Sequence, residues 1–145
     1  MPIVGFVSLC KDRAPSIVSR DSRDGPKHEA INAKRLSVNH YRIDGVVITN
    51  GERCDFAVIL EEERKQAILI ELKGSDLSKA VRQLETTQKR LEEDLKGYEV
   101  YYRIVANKCN TTEIKTTEFR KIERKWGKYF KYGTRLYQDR IPIEP

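Results

Sequence analysis

Asp55 and, after 15 intervening residues, Glu71-Leu72-Lys73 are the groups of this 145-residue chain best suited to chemistry. They flank Glu61–Lys65, a charged run that reads as a turn between two apolar segments. In an antiparallel hairpin the numbers of facing residues add to a constant. A turn centred on Glu63 sets that total at 126 and places Asp55 opposite Glu71. Alternation puts Lys73 on the same strand face as Glu71. Two facing carboxylates repel unless something lies between them. A hard divalent cation such as Mg²⁺ is the natural occupant, since it takes carboxylate and water oxygens. A lysine beside it can hold a water or balance a phosphate. Cation, carboxylates and lysine together suit attack of water on a phosphodiester. A second hairpin, with a two-residue turn at Asn50-Gly51, would place Asp44 opposite Ala57 on the face of Asp55. Asp44 then reads either as a further ligand or as a hydrogen-bonded residue in a strand bend beside Gly45.

The elements that must position these groups follow from the pattern. Lys11 to Lys27, with several serines and two prolines, reads as a long loop. A short helix is expected from about Pro26 to Leu36, with Glu29 near its positive end. Strands are expected over Tyr41–Thr49, Glu52–Leu60 and Gln66–Lys73, the central segments apolar on both faces and so covered on both sides. Gly74 and Ser75 end the third strand. A helix from Asp76 to Lys96 follows, capped by Ser75 or Asp76 and stopped by Gly97. Val100–Ala106 reads as a strand. Thr117–Gly127 reads as a basic helix with Phe119, Ile122 and Trp126 inward, and Lys131–Ile141 as a last strand.

Asp55 on the second strand of a meander, with Glu71-Leu72-Lys73 on the third and a helix directly after, resembles the bipartite signature of the PD-(D/E)XK nucleases. The resemblance covers about residues 26–106. It implies an α/β, restriction-endonuclease-like fold: a mixed central sheet of about five strands with helices on both faces. It also implies that Asp55 and Glu71 bind Mg²⁺, for which Mn²⁺ substitutes, with the Leu72 carbonyl as a further ligand and Lys73 assisting the water. Glu29 fits the glutamate often found on the helix before the meander, and Gln83 fits the glutamine many members carry on the helix after it. Lys79, one turn before Gln83 on the same exposed strip, is expected to contact the nucleic acid. Cys54 stands where the family name has proline. Thr87 stands four residues after Gln83, where one subgroup has tyrosine. The implied activity is Mg²⁺-dependent hydrolysis of DNA, structure-selective or directed by a partner. RNA cleavage on the same fold, or a non-catalytic nucleic-acid- or protein-binding module, are the alternatives.

Charge fits a polyanion partner. The chain carries +6 overall, but residues 51–95 hold 8 basic and 11 acidic groups, and residues 96–145 hold 12 and 6. An acidic middle with basic flanks suggests nucleic acid gripped by the flanks, DNA being favoured. Arg120, Lys121, Arg124 and Lys125 are the expected phosphate contacts in the last third, with Arg13, Arg20 and Arg23 as the other basic segment. Length suits one domain over 1–145, with a core of about 26–106 and a basic helix-strand extension over 107–145. A homodimer would let so small a domain address both strands. Three cysteines (Cys10, Cys54, Cys109) without a Cys-x-x-Cys pair suggest reduced thiols in the cytoplasm. No apolar run is long enough for a membrane span, and the first ten residues lack the marks of a signal peptide.

Overall fold

The computed structural model describes residues 3–73, 77–108 and 116–144, with Lys73 described by its backbone alone. Gly74, the expected cap at Ser75 or Asp76, and Cys109 lie outside the described residues. In chain order the elements are β1 (Ser16–Arg20), β2 (Lys27–Ile31), β3 (Val38–Arg42), β4 (Phe56–Leu60), β5 (Gln66–Lys73), α1 (Leu77–Arg90), β6 (Glu99–Ala106), α2 (Thr117–Trp126), β7 (Phe130–Thr134) and β8 (Leu136–Arg140).

Five strands form a mixed sheet in the order β3-β4-β5-β6-β7. The β3-β4-β5 part is an antiparallel meander, and β6 and β7 add in parallel. All five residues of β4 are buried, because both faces of the sheet are covered. Helices cover only one of them. Leu77, Ala80, Val81 and Leu84 of α1 and Phe119 and Ile122 of α2 pack on Ala57, Ile59, Leu69 and Ile104. The other face carries Phe56, Val58, Ile68, Ile70 and Val105, and lies against Ile17 and Ala30 of a second sheet, ordered β1-β2-β8. The expectation of helices on both faces is therefore corrected: a three-stranded sheet takes the place of one helical layer.

The helix expected over 26–36 is the main local difference. Lys27–Ile31 is a strand, pairing antiparallel with β1 and parallel with β8. Its inward positions are His28 and Ala30. A buried polar group in an inward position breaks the apolar alternation that marks a strand. Asp139 on β8 conceals that strand in the same way, being buried opposite Ala30. The expected loop over 11–27 likewise contains β1.

The strand expected over 41–49 stops at Arg42. Ile43–Thr49 folds into a turn in which Gly45, at φ 79°, donates to the Ile48 carbonyl and Ile48 donates to the Ile43 carbonyl. Asn50-Gly51 does not form a two-residue hairpin. Asn50 instead accepts the Arg90 guanidinium of α1 through its carbonyl and side chain. The β3–β4 register pairs Tyr41 with Ala57, not Asp44. The last expected strand divides at Arg135 into β7 and β8, one in each sheet. Residues 107–145 thus supply a strand to both sheets and are integral to the fold.

The open edge of β3 is occupied by the amino-terminal segment. Leu9 N–H donates to the His40 carbonyl, and His40 N–H to Ser8 Oγ. Between the sheets, His40 Nε2 and Ser19 Oγ share a hydrogen bond of 2.9 Å. Burial, with a smaller contribution from His28, lowers His40 from 6.5 to about 4. The folded protein therefore holds His40 neutral while the unfolded chain takes up its proton below about pH 6.5. This contribution to stability is complete above 6.5 and is lost as pH falls from 6.5 to 4. It amounts to at most about 3 kcal/mol. In urea unfolding at pH 7 and pH 4.5, His40→Gln should lose less stability on acidification than the wild type; equal losses would contradict this role.

Candidate functional site

The β4–β5 hairpin fixes the site. Its facing pairs run from Phe56–Ile70 to Leu60–Gln66, the register expected from a turn centred on Glu63. Glu63 takes a left-handed conformation, φ 61°, at the centre of that turn. Burial of the seven large apolar side chains within these facing pairs contributes roughly 10–20 kcal/mol before entropy. Repulsion between facing like charges, about 1 kcal/mol or less at an ordinary strand pair, is too weak to shift the register.

The ladder changes at Asp55. Its N–H donates to the Ile70 carbonyl at 3.0 Å, and its carboxylate Oδ2 accepts the Leu72 N–H at 2.8 Å. Its own carbonyl accepts Ile43 N–H at 2.9 Å. Asp55 is therefore tied to β5 and to the end of β3 together. Glu71 follows Ala67 and Leu69 in the strand alternation, which places it on the helical side of the sheet. Asp55 is 7% exposed and Glu71 1%. Both are close enough to Cys54 that their charges add to burial in pushing its thiol well above the ordinary value of 9.0. Cys54 is thus a protonated core residue. Lys73 ends β5 with its backbone opposite Ala106; its side chain lies outside the described residues.

Helix α1 is fastened to this segment by Thr87. The fully buried Thr87 Oγ1 accepts Cys54 N–H at 2.6 Å and donates to the Gln83 carbonyl at 2.7 Å. Gln83 is half-buried, and its Oε1 is buried without a hydrogen-bond partner among the described residues. Lys79 is exposed one turn earlier.

Glu29 is not brought to this site. It stands on the outer side of the second sheet, holding Ser16 Oγ and Gln138 Nε2, and these hydrogen bonds keep its carboxyl below 4.5. The whole second sheet separates it from the helical face. Asp44 is half-exposed and accepts Arg53 Nε at 2.7 Å, which makes it a brace for the β3–β4 loop. Arg120, Lys121, Arg124 and Lys125 are all exposed on α2, whose inward face is Phe119 and Ile122 as expected, with Trp126 half-buried and stacked on Tyr102. Lys125 pairs with Glu85 at 3.2 Å.

Family models, curated proteins and solved structures offer no match to this chain. What the site can do rests on its own groups.

No group of three or more His, Cys, Asp or Glu side chains forms a cage for a metal among the described residues. Asp55 and Glu71 form a smaller set, two buried carboxylates near one thiol. Such a pair fits Mg²⁺, which usually keeps several waters and is held by one or two carboxylates plus substrate oxygens. The Leu72 N–H is committed to Asp55, which orients that carboxylate from a second strand.

A basic cleft, which no local pattern signals, opens at the same edge of the large sheet. It has a volume of about 510 Å³ and is lined by Arg23, Lys27, Lys108 and Arg135, with Asp24 as its one carboxylate. These residues come from three segments, 23–27, 107–108 and 135–136, that only the assembled sheets bring together. Of them, Arg23 alone belonged to a basic segment singled out in the sequence. No helix among the described residues is long and apolar enough to cross a membrane.

Thr87→Val should cost about 1–3 kcal/mol, because it leaves the buried Cys54 N–H without its acceptor. Thr87→Ser should recover most of that loss. A urea midpoint for Thr87→Val equal to the wild type's would show that this tie between α1 and the site is unimportant.

Proposed function

We propose that this protein is a metal-dependent nuclease whose centre is Asp55, Glu71 and Lys73, acting on DNA. The observation that carries this reading is the buried carboxylate pair at the β4–β5 end in a chain of charge +6. Two carboxylates converging at one strand end favour a cation between them, and Mg²⁺ takes one or two carboxylates together with water and substrate oxygens. Their placement also agrees with the resemblance to the PD-(D/E)XK signature, in strand order and in hairpin register.

Asp55 and Glu71 would hold Mg²⁺, with the Leu72 carbonyl as a further oxygen, and the ion would supply Lewis-acid charge and an activated water. Lys73 would position the attacking water or balance charge as it builds on the phosphate. Gln83 lines the site from α1. Glu29 has no part in it, since it faces away on the second sheet. Arg120, Lys121 and Arg124 contribute positive surface for the substrate.

Asp55→Asn and Glu71→Gln should each abolish cleavage of labelled DNA in Mg²⁺ or Mn²⁺ while the circular-dichroism spectrum is retained. Cleavage by either variant at the wild-type rate would overturn the assignment. Lys73→Ala should lower turnover by about 10²-fold or more, while calorimetric Mn²⁺ binding survives. Parallel digestion of DNA and RNA tests the substrate: preferential RNA cleavage would replace DNA as the assignment.

A further inference from the structure

We propose that the basic cleft at the junction of β7 and β8 binds the phosphodiester backbone of a nucleic-acid strand through Arg23, Lys27, Lys108 and Arg135. This deepens the nuclease reading and rests on it for the destination of the strand, though not for the binding itself.

Charge is the first argument. Four cations from three segments of the chain (residues 23–27, 107–108 and 135–136) converge on one cleft against a single carboxylate, Asp24. Several basic side chains elsewhere on the surface are paired with carboxylates. Arg13 pairs with Glu62, Lys34 with Glu63, Arg42 with Asp21, Arg53 with Asp44 and Arg64 with Glu99. None of the four cleft cations has a carboxylate partner among the described residues. Converging like charges without counter-charge disfavour the folded state unless an anion enters.

The backbone supplies the second argument. Arg135 is the single residue between β7 and β8 and takes a left-handed conformation, φ 65°. Glycine adopts this conformation without steric cost, whereas arginine does not. The position is fixed on both sides: Arg135 N–H donates to the Ala106 carbonyl at 2.8 Å, and its carbonyl accepts Lys27 N–H at 2.9 Å. Glycine would serve this turn at no steric cost, yet an arginine stands there, at the lining of the cleft. Strain of this kind gathers at sites that bind.

Position supplies the third. Lys73 pairs with Ala106, and Asn107 and Lys108 follow directly, so the cleft and the carboxylates open at one edge of the sheet. They are separated by two or three strand spacings, roughly 10–15 Å. That is about three or four nucleotides along one strand at a rise of about 3.4 Å each. The carboxylates lie on the helical side of this edge and the cleft on the second-sheet side, so a bound strand crosses the edge. A groove lined by Arg20, Asp21, Ser22 and Arg23 continues beyond the cleft, with Asp21 paired to Arg42, and this extended surface favours a polymer over a small anion.

The test uses the full chain in EDTA, where no cleavage occurs, with a fluorescein-labelled single strand and its duplex followed by anisotropy across a salt series. The combined variant Arg23→Ala, Lys27→Ala, Lys108→Ala, Arg135→Gly should bind more weakly. Its log–log salt slope should be shallower by about 0.7 per lost contact for the single strand, or about 0.9 for duplex. Arg135→Gly alone guards against misfolding: it should keep or raise the urea midpoint while losing about one contact. An unchanged slope in folded variants, or a wild type that binds neither probe, overturns the proposal. So does saturable binding of inorganic phosphate at the cleft with strand affinity unaltered in the variant, which identifies a small-anion site. If the variant loses strand binding and the wild type cleaves nothing in Mg²⁺ or Mn²⁺, the cleft stands and the nuclease reading fails. If the wild type cleaves and the variant binds and cleaves as before, the cleft fails and the nuclease reading stands.

Discussion

Asp139 is the ionic joint on which the two sheets depend. From β8 it accepts Arg103 Nε at 2.8 Å and Nη2 at 3.0 Å, both from β6 of the large sheet. His28 Nε2, on β2, donates to the same carboxylate at 2.7 Å. Burial pushes the Asp139 carboxyl up, but the hydrogen bonds from His28 and Arg103 outweigh it and hold the group below 3.8. Arg103 also donates to the Tyr102 and Tyr129 carbonyls. A buried pair of this kind adds little net stability over an apolar substitute, but removal of one partner costs about 3–5 kcal/mol. Its consequence here is registration. Apolar side chains alone let two sheets slide, whereas a two-pronged guanidinium–carboxylate contact permits one alignment.

That alignment decides what stands at the sheet edge. β4 begins there, β5 and β6 end there, and the β7–β8 turn crosses there. The carboxylates are held by backbone geometry on one side of the edge, with Asp55 replacing a carbonyl as the acceptor for Leu72. The basic side chains gather on the other side, because β2 and β8 are brought over the end of β6. Negative and positive groups are thereby kept apart across the thickness of one sheet. Direct pairing between them would cancel both.

The sequence made the hairpin legible because three signals agree there: two apolar runs, a charged turn of odd length, and carboxylates at matching distances from its centre. It also revealed α2, whose Phe119 and Ile122 stripe and Gly127 stop are local features. The second sheet was hidden for a physical reason. Its inward positions include His28, Ser19 and Asp139, polar groups satisfied only by partners distant in sequence. Read locally, they suggest exposure, so β2 looked like a helix and β1 like a loop. Glu29 was misplaced with its element. Asn50-Gly51 misled differently: Gly51 does take positive φ, at 75°, but inside a long loop anchored by Arg90. The cleft cations had no periodicity to betray them.

The single-residue link at Arg135 makes the phase of β8 a property of β7. Side chains alternate along a strand, so one residue added between Thr134 and Leu136 would turn every β8 side chain to the opposite face. Asp139 would then point to water, and Gln138 or Arg140 would meet Arg103 instead. Elsewhere on the surface, exposed loops can change length at small cost. At this joint length is quantised: drift among descendants of this chain is confined to substitutions, or to paired insertions that restore parity.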